Sequence, residues 1–133
     1  MVEKTALTAQ ELEEKLKDMA PEWKIGKNEK GVPFIQRVHH ASKFMQGIDF
    51  VGKVAEAAEE NNHHPDIIIN YKRISIRYWT HTASGVTLAD IQMAQKIDPL
   101  FLTALNLSLH NVIQGLTFSG ERANITIDNY FGN

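Results

Sequence analysis

Three histidines in two short segments are the side chains of this sequence best suited to chemistry. His63 and His64 stand before Pro65, and His81 follows about 17 residues after His64. An imidazole titrates near pH 6.5, so it can donate or accept a proton at neutral pH with little penalty. Glu59 lies four residues before His63, where a carboxylate can orient an imidazole if the helix extends that far. If the two segments meet, the sequence predicts a proton-transfer site.

Each of these residues also has a structural interpretation. A His-His pair is more often incidental than catalytic, and two or three histidines with Glu59 could instead form the metal site of a hydrolase. Thr87 and Asp90 have the spacing of a helix start, so Asp90 is interpreted first as a capping residue. No role is predicted for the remaining histidines, which are His39, His40 and His110. Three charged residues near the site are interpreted as solvated, namely Glu60, Asp66 and Arg77.

The pattern of apolar residues predicts the elements that precede the first histidine segment. Thr8 and Glu11 have the spacing of a capping box and predict a helix start, and Pro21 marks its end. Alternation across residues 22–39 predicts a β-hairpin. Apolar positions at helical spacing predict a long helix over residues 42–61, which Pro65 prevents from continuing. The His63-His64 pair is therefore expected on a loop at a helix end.

The second half of the chain is predicted to begin with another strand pair. Residues 67–71 are rich in β-branched side chains and residues 74–81 alternate between two faces, so His81 is placed at the end of a strand. Thr87 and Asp90 then begin a third helix that runs to Ile97. Asp98-Pro99 resembles an N-cap and the first position of a separate helix, which is expected to end before Gly115. A short last strand is predicted over residues 124–127.

Composition and charge restrict the class of protein. A chain of 133 residues is expected to form one domain, and 14 basic against 16 acidic residues give a net charge of −2 without a long basic run. Direct binding to nucleic acid is therefore not expected. The sequence has no cysteine, no apolar signal core after Met1, and no apolar run near the roughly 20 residues that cross a bilayer. These features predict a protein of the cytoplasm or nucleus that does not contact a membrane.

The order of the motif residues carries a family resemblance over residues 7–98. The motif runs Glu59-x-x-x-His63-His64-Pro65, then Asn70-Tyr71, Thr80-His81, Gly85-x-Thr87-x-x-Asp90 and Ala94-x-x-Ile97. This pattern resembles the pterin-4a-carbinolamine dehydratases, a family also known for a dimerisation-cofactor role. The resemblance implies an α+β fold, with a four-stranded antiparallel sheet and about three helices packed on one face. An extra C-terminal helix is expected beyond that core.

The resemblance also implies an activity and a set of site residues. The implied reaction dehydrates 4a-hydroxytetrahydropterin to quinonoid dihydropterin without a metal or organic cofactor, and it recycles tetrahydropterin. His63 and His81 match the acid–base histidines, His64 matches the histidine that orients the pterin, and Glu59 matches the supporting carboxylate. The full set of predicted substrate contacts comprises Asn62, His63, His64, Trp79, Thr80, His81 and Asp90. An alternative implied by the same family is a non-enzymatic dimerisation scaffold for a transcription factor.

Three positions and one segment depart from the family pattern. Ile67 stands where vertebrate-type members carry a tryptophan, Asn62 replaces an acidic residue, and Trp79 replaces a small hydroxyl residue. Residues 99–133 form an extension of unassigned role whose first part is apolar almost all round a helix. Exposing several large aliphatic side chains would be costly. We therefore expect a homo-oligomer, either a dimer or a tetramer.

Overall fold

The computed structural model describes residues 5–114, with side chains up to Leu102. Three α-helices and four strands follow one another in the order that the sequence predicts, up to the start of the third helix. Their bounds are α1 Ala9–Met19, β1 Lys24–Lys27, β2 Pro33–His40, α2 Phe44–Asn61, β3 Asp66–Asn70, β4 Arg73–Tyr78 and α3 Leu88–Gln114, with a 3₁₀ turn at His81–Ala83 before α3. The predicted strand over residues 124–127 lies outside the described residues.

The strands form one antiparallel sheet in the order β1-β2-β4-β3. Ile35 of β2 and three alternate residues of β4 (Ile74, Ile76, Tyr78) are fully buried on one face. The apolar stripes of all three helices belong to the same core, including Leu12 and Leu16 from α1, Phe50 and Val54 from α2, and Ile91 and Ile97 from α3. The α+β architecture expected from the sequence is therefore confirmed.

The ends of α1 and α2 follow from local hydrogen bonding. Thr8 Oγ1 accepts the backbone N–H of Glu11, and the Glu11 carboxylate accepts the backbone N–H of Thr8, so the predicted capping box is present. Helix α2 ends where Asn62 adopts a left-handed conformation, with φ 49°. The N–H groups of Asn62 and His63 then bond to the carbonyls of Glu59 and Ala58. This Schellman arrangement turns the chain out of the helix at His63.

Helix α3 corrects one prediction from the sequence. The expected break at Asp98-Pro99 is absent, and a single helix runs from Leu88 to Gln114 with Pro99 inside it. The Asp98 carboxylate does not cap a new helix, because its Oδ1 accepts hydrogen bonds from Trp23 Nε1 and Arg37 Nη1, both at 2.7 Å. Phe101, one turn beyond Ile97, is also buried. Packing on this face continues the helix past the exposed proline.

Strand β4 is also shorter than predicted. It ends at Tyr78, and the chain then folds back so that the N–H of Thr80 donates to the carbonyl of Gly85. Ser84 takes a left-handed conformation, which completes the reversal. His81 therefore begins a 3₁₀ turn instead of ending a strand. Within the described part of the chain, no helix combines the length and apolar character needed to cross a membrane.

Candidate active site

His63 is held in place by a strand and a helix on either side of it. Its carbonyl accepts the Tyr78 hydroxyl at 2.8 Å, and its ring lies parallel to the Tyr78 ring at a centroid distance of 5.4 Å. Its Nε2 lies 2.6 Å from Oδ1 of Asp90 on α3. Burial and the nearby Asp90 charge raise the pKa of Tyr78, so its hydroxyl remains a hydrogen-bond donor. Both the backbone and the ring of His63 are thus fixed.

Asp90 is a fully buried carboxylate with a complete set of donors. Its Oδ2 accepts the Thr87 N–H at 2.8 Å, the Thr80 hydroxyl at 2.8 Å and the Thr87 hydroxyl at 3.2 Å. Its Oδ1 faces His63. A buried carboxylate is tolerated when it is hydrogen-bonded in this way. The predicted capping role of Asp90 is confirmed, and the same side chain also orients an imidazole.

The Asp90 contact favours one tautomer of the neutral His63 ring. A carboxylate opposite Nε2 favours the tautomer that carries its proton on that nitrogen, which makes Nδ1 the acceptor of the neutral ring. Buried carboxylates hold histidines in this way in acid–base enzymes. The link joins residues 27 positions apart, and through Thr80 it reaches the residue directly before His81. His63, Thr80 and Asp90 therefore form one connected unit.

His64 and Glu59 form a second, exposed pair. His64 Nε2 lies 2.6 Å from Glu59 Oε2 across the end of α2, and both side chains are open to solvent. The sequence placed Glu59 near His63, whereas its structural partner is the next histidine along the chain. The reason is the helix end, because the left-handed Asn62 turns His63 inward toward Asp90. Asn62 itself is exposed at this turn.

The second histidine segment carries an aromatic stack. The rings of Trp79 and His81 lie 3.8 Å apart with an interplanar angle of 19°. Trp79 Nε1–H donates to Oδ2 of Asp66 at 3.0 Å, which ties this segment to the residue directly after Pro65. Asp66 is exposed, as expected of a solvated charge, and it also accepts this hydrogen bond. Arg77 likewise lies over the Phe34 ring at 4.4 Å and bonds to Gln36, so it is also a structural residue.

A recess of about 200 Å³ opens beside His63. Helix α3 supplies Ala89, Gln92, Met93 and Lys96, and the end of α2 supplies Asn61. Lys96 Nζ donates to Asn61 Oδ1 at 2.7 Å, which joins the two helices at its edge. Among the described residues that line this recess, His63 is the one that belongs to the candidate site.

Two other histidines do not belong to this cluster. His39 is buried against Phe50 at a ring distance of 4.2 Å, and burial lowers its pKa. His40 is exposed at the end of β2. In the described part of the chain, no group of three or more histidine and carboxylate side chains is placed to hold a metal ion.

Sequence reasoning missed two residues of the site. Tyr78 was only one residue of the predicted strand over residues 74–81, yet its hydroxyl fixes the His63 backbone. Thr87 was identified only as part of a helix start, yet its hydroxyl also contacts Asp90 and Thr80. The Thr87-x-x-Asp90 spacing was a usable signal for the second residue. Nothing local in the sequence connects Tyr78 to His63.

The family model described as pterin 4 alpha carbinolamine dehydratase matches residues 5–100 of the chain. The chain belongs to this family. Among its relatives in the pterin 4 alpha carbinolamine dehydratase family is a protein from Gloeobacter violaceus named as a candidate pterin-4-alpha-carbinolamine dehydratase 2. The two are 44% identical over 88 residues, which cover 66% of this chain and 94% of the relative.

Two solved structures show the same fold. One is described as a transcriptional coactivator/pterin dehydratase from Brucella melitensis; it has a TM-score of 0.62 and 31% identity, and the match covers 72% of this chain and 98% of that one. The other is described as a pterin dehydratase-like protein identified as a RuBisCO assembly factor in the alpha-carboxysome. Its TM-score is 0.50 at 20% identity, with 60% and 89% of the two chains covered. The description of the Brucella melitensis protein thus includes a role other than catalysis, whereas the second likeness shows the fold alone.

Proposed function

We propose that this protein is a 4a-hydroxytetrahydropterin dehydratase that works by histidine acid–base catalysis. The observation that carries the proposal is the pairing of His63 with the buried Asp90 carboxylate, 2.6 Å apart, beside a second segment that holds His81. A histidine whose tautomer and orientation are fixed in this way suits proton transfer better than an exposed one does. The proposed reaction is taken from the family to which the chain belongs, and the pairing of His63 with Asp90 supports it.

The reaction needs two proton transfers. The C4a hydroxyl leaves as water when an acid protonates it, and the adjacent ring nitrogen loses its proton to a base as the C4a–N double bond forms. The protein therefore takes up one proton and gives up another, with no redox change. We assign these two transfers to His63 and His81, and we assign pterin orientation to His64 with Glu59. Thr80 and Asn62 complete the proposed contact surface, and Asp90 acts through His63.

Stopped-flow measurement of 4a-carbinolamine decay, with and without the protein, tests this proposal. We expect a clear acceleration by the wild-type chain. His63→Ala and His81→Ala should each lower kcat by about 10²-fold, the usual loss for one positioned acid or base, and the double variant should be nearly inactive. His40→Ala is the matched control, because this exposed histidine lies outside the site.

Two results would contradict the assignment. Wild-type turnover in both single variants would show that these histidines do not transfer the protons. No acceleration by the wild-type chain would favour the second candidate, a non-enzymatic dimerisation scaffold. The name of the Brucella melitensis relative, which includes a coactivator role, is the observation behind that alternative. Circular dichroism of each variant shows whether the fold is retained.

A further inference from the structure

The proposed proton transfers do not explain why the exposed ring of His81 is stacked on the ring of Trp79. His81 is exposed at the start of the 3₁₀ turn, and within the described residues no side chain forms a hydrogen bond with its ring. Its ring lies 3.8 Å from the Trp79 ring in a nearly parallel arrangement. An exposed imidazole without such a contact would distribute among the three staggered χ1 positions. The indole is the group that selects one of them.

Trp79 is itself held by a hydrogen bond from its indole nitrogen. Its Nε1–H donates to Asp66 Oδ2 at 3.0 Å, and Asp66 directly follows the His63-His64-Pro65 loop. Asp66 also pairs with Arg77 in the β3–β4 register, which brings the two segments side by side. A tryptophan has only two rotatable side-chain bonds, so one hydrogen bond and one stack are enough to define its position. The indole therefore links the two histidine segments mechanically.

We propose that Trp79 is a positioning residue for His81, with Asp66 as its anchor. This inference rests on the dehydratase activity proposed above and adds a specific determinant of its geometry. Trp79 stands where the resemblance expects a small hydroxyl residue, so this chain orients its exposed histidine by aromatic stacking. The simpler assignment of Trp79 as a direct pterin contact makes a different kinetic prediction. Loss of a substrate contact raises KM, whereas loss of orientation lowers kcat.

Four variants in two matched pairs separate the contacts. Trp79→Phe keeps an aromatic face and removes the N–H donor, whereas Trp79→Leu removes the ring and keeps an apolar side chain. Asp66→Asn keeps an oxygen acceptor for the indole N–H, whereas Asp66→Ala removes it. Both tryptophan variants lack the N–H donor, so their comparison isolates the aromatic ring, and comparison of the two aspartate variants isolates the oxygen acceptor. Thermal unfolding of all four variants establishes that they are folded.

The first readout is the NMR spectrum of His81, which does not depend on activity. The carbon-bound ring protons of an imidazole stacked on an indole are shifted upfield by its ring current. We expect this shift in the wild type and in Asp66→Asn, a smaller shift in Trp79→Phe and Asp66→Ala, and none in Trp79→Leu. His81 signals that do not respond to Trp79→Leu would overturn the stacking contact, whatever the turnover of the protein.

The second readout is stopped-flow kinetics of carbinolamine decay. Loss of the preference for one of three χ1 rotamers predicts a fall in kcat of about threefold for Trp79→Leu, with KM within about twofold of the wild type. Trp79→Phe should recover most of that loss. Wild-type kcat in Trp79→Leu, or a raised KM with normal kcat, would overturn the positioning role. An inactive wild-type chain would instead overturn the dehydratase proposal and leave the NMR result to decide the contact.

Discussion

At the scale of single residues, Asp90 shows how one side chain serves both the fold and the site. Its Oδ2 accepts the N–H of Thr87 at the start of α3, and its Oδ1 holds His63. Because the carboxylate is fully buried, removal of the donors to either oxygen would leave that oxygen without a hydrogen bond. Helix start and imidazole orientation are therefore coupled, and substitutions at Asp90 are expected to affect both stability and activity.

His64 offers a cleaner test of a single role. We expect His64→Ala to raise KM for the carbinolamine more than it lowers kcat, because a group that orients the pterin contributes equally to ground and transition states. Glu59→Gln is the companion variant, since it keeps the size of the residue that contacts His64 Nε2 at 2.6 Å and removes its charge. Steady-state kinetics of both variants provides the measurement. A fall in kcat at constant KM for His64→Ala would instead assign proton transfer to His64.

At the scale of elements, the end of α2 and the start of α3 position the site. The left-handed Asn62 directs His63 inward, and the fold-back after β4 places His81 beside Trp79. Helix α3 then continues through Pro99, although proline lacks the N–H that would bond to the carbonyl of Gln95. Burial of Phe101 and the three-way contact of Asp98 with Trp23 and Arg37 offset that loss.

The continuous helix leads to a stability prediction. Pro99→Ala should raise the free energy of unfolding by about 1–3 kcal/mol, because alanine restores the missing helical hydrogen bond. The greater conformational freedom of the unfolded alanine variant offsets a smaller part of this gain. Urea denaturation measures the change. Pro21→Ala is the control, since Pro21 lies in the turn after α1 and should show no comparable gain. A neutral or destabilising Pro99→Ala would instead support a break at Asp98.

At the scale of the whole molecule, apolar side chains on the described surface are consistent with association. Phe44 and Tyr71 are 43% and 68% exposed and stack on each other with their rings 6.3 Å apart. Met45, Ile69 and Leu102 are also exposed. These residues add to the apolar segment that follows Pro99 in the sequence. The homo-oligomer expected from the sequence stays a prediction.

Truncation tests that prediction. The chain should end after Leu102, because Phe101 is only 5% exposed and its removal would damage the core. If residues 103–133 help to form the interface, light scattering should show a smaller assembly, or aggregation, for the truncated chain than for the full chain. An unchanged, soluble oligomer with full activity would show that these residues are dispensable for assembly.

The sequence alone was sufficient wherever the determining interactions are local. The capping box at Thr8 and Glu11, the alternation in the strands, and the stop imposed on α2 before Pro65 each involve residues a few positions apart. The ordered histidine motif was sufficient to indicate the family, and the match over residues 5–100 confirms it. Local spacing also identified Thr87 and Asp90 as the capping pair at the start of α3.

Tertiary structure decided the contacts between distant segments. The sequence placed Glu59 near His63, and its contact with His64 instead depends on the direction in which Asn62 turns the chain. The partners of His63 lie 15 and 27 residues away, on β4 and α3. The Asp98-Pro99 pair predicted a helix start, and the burial of Phe101 together with the contacts of Asp98 overruled it. Local patterns determine which elements form, whereas packing determines which side chains those elements bring together.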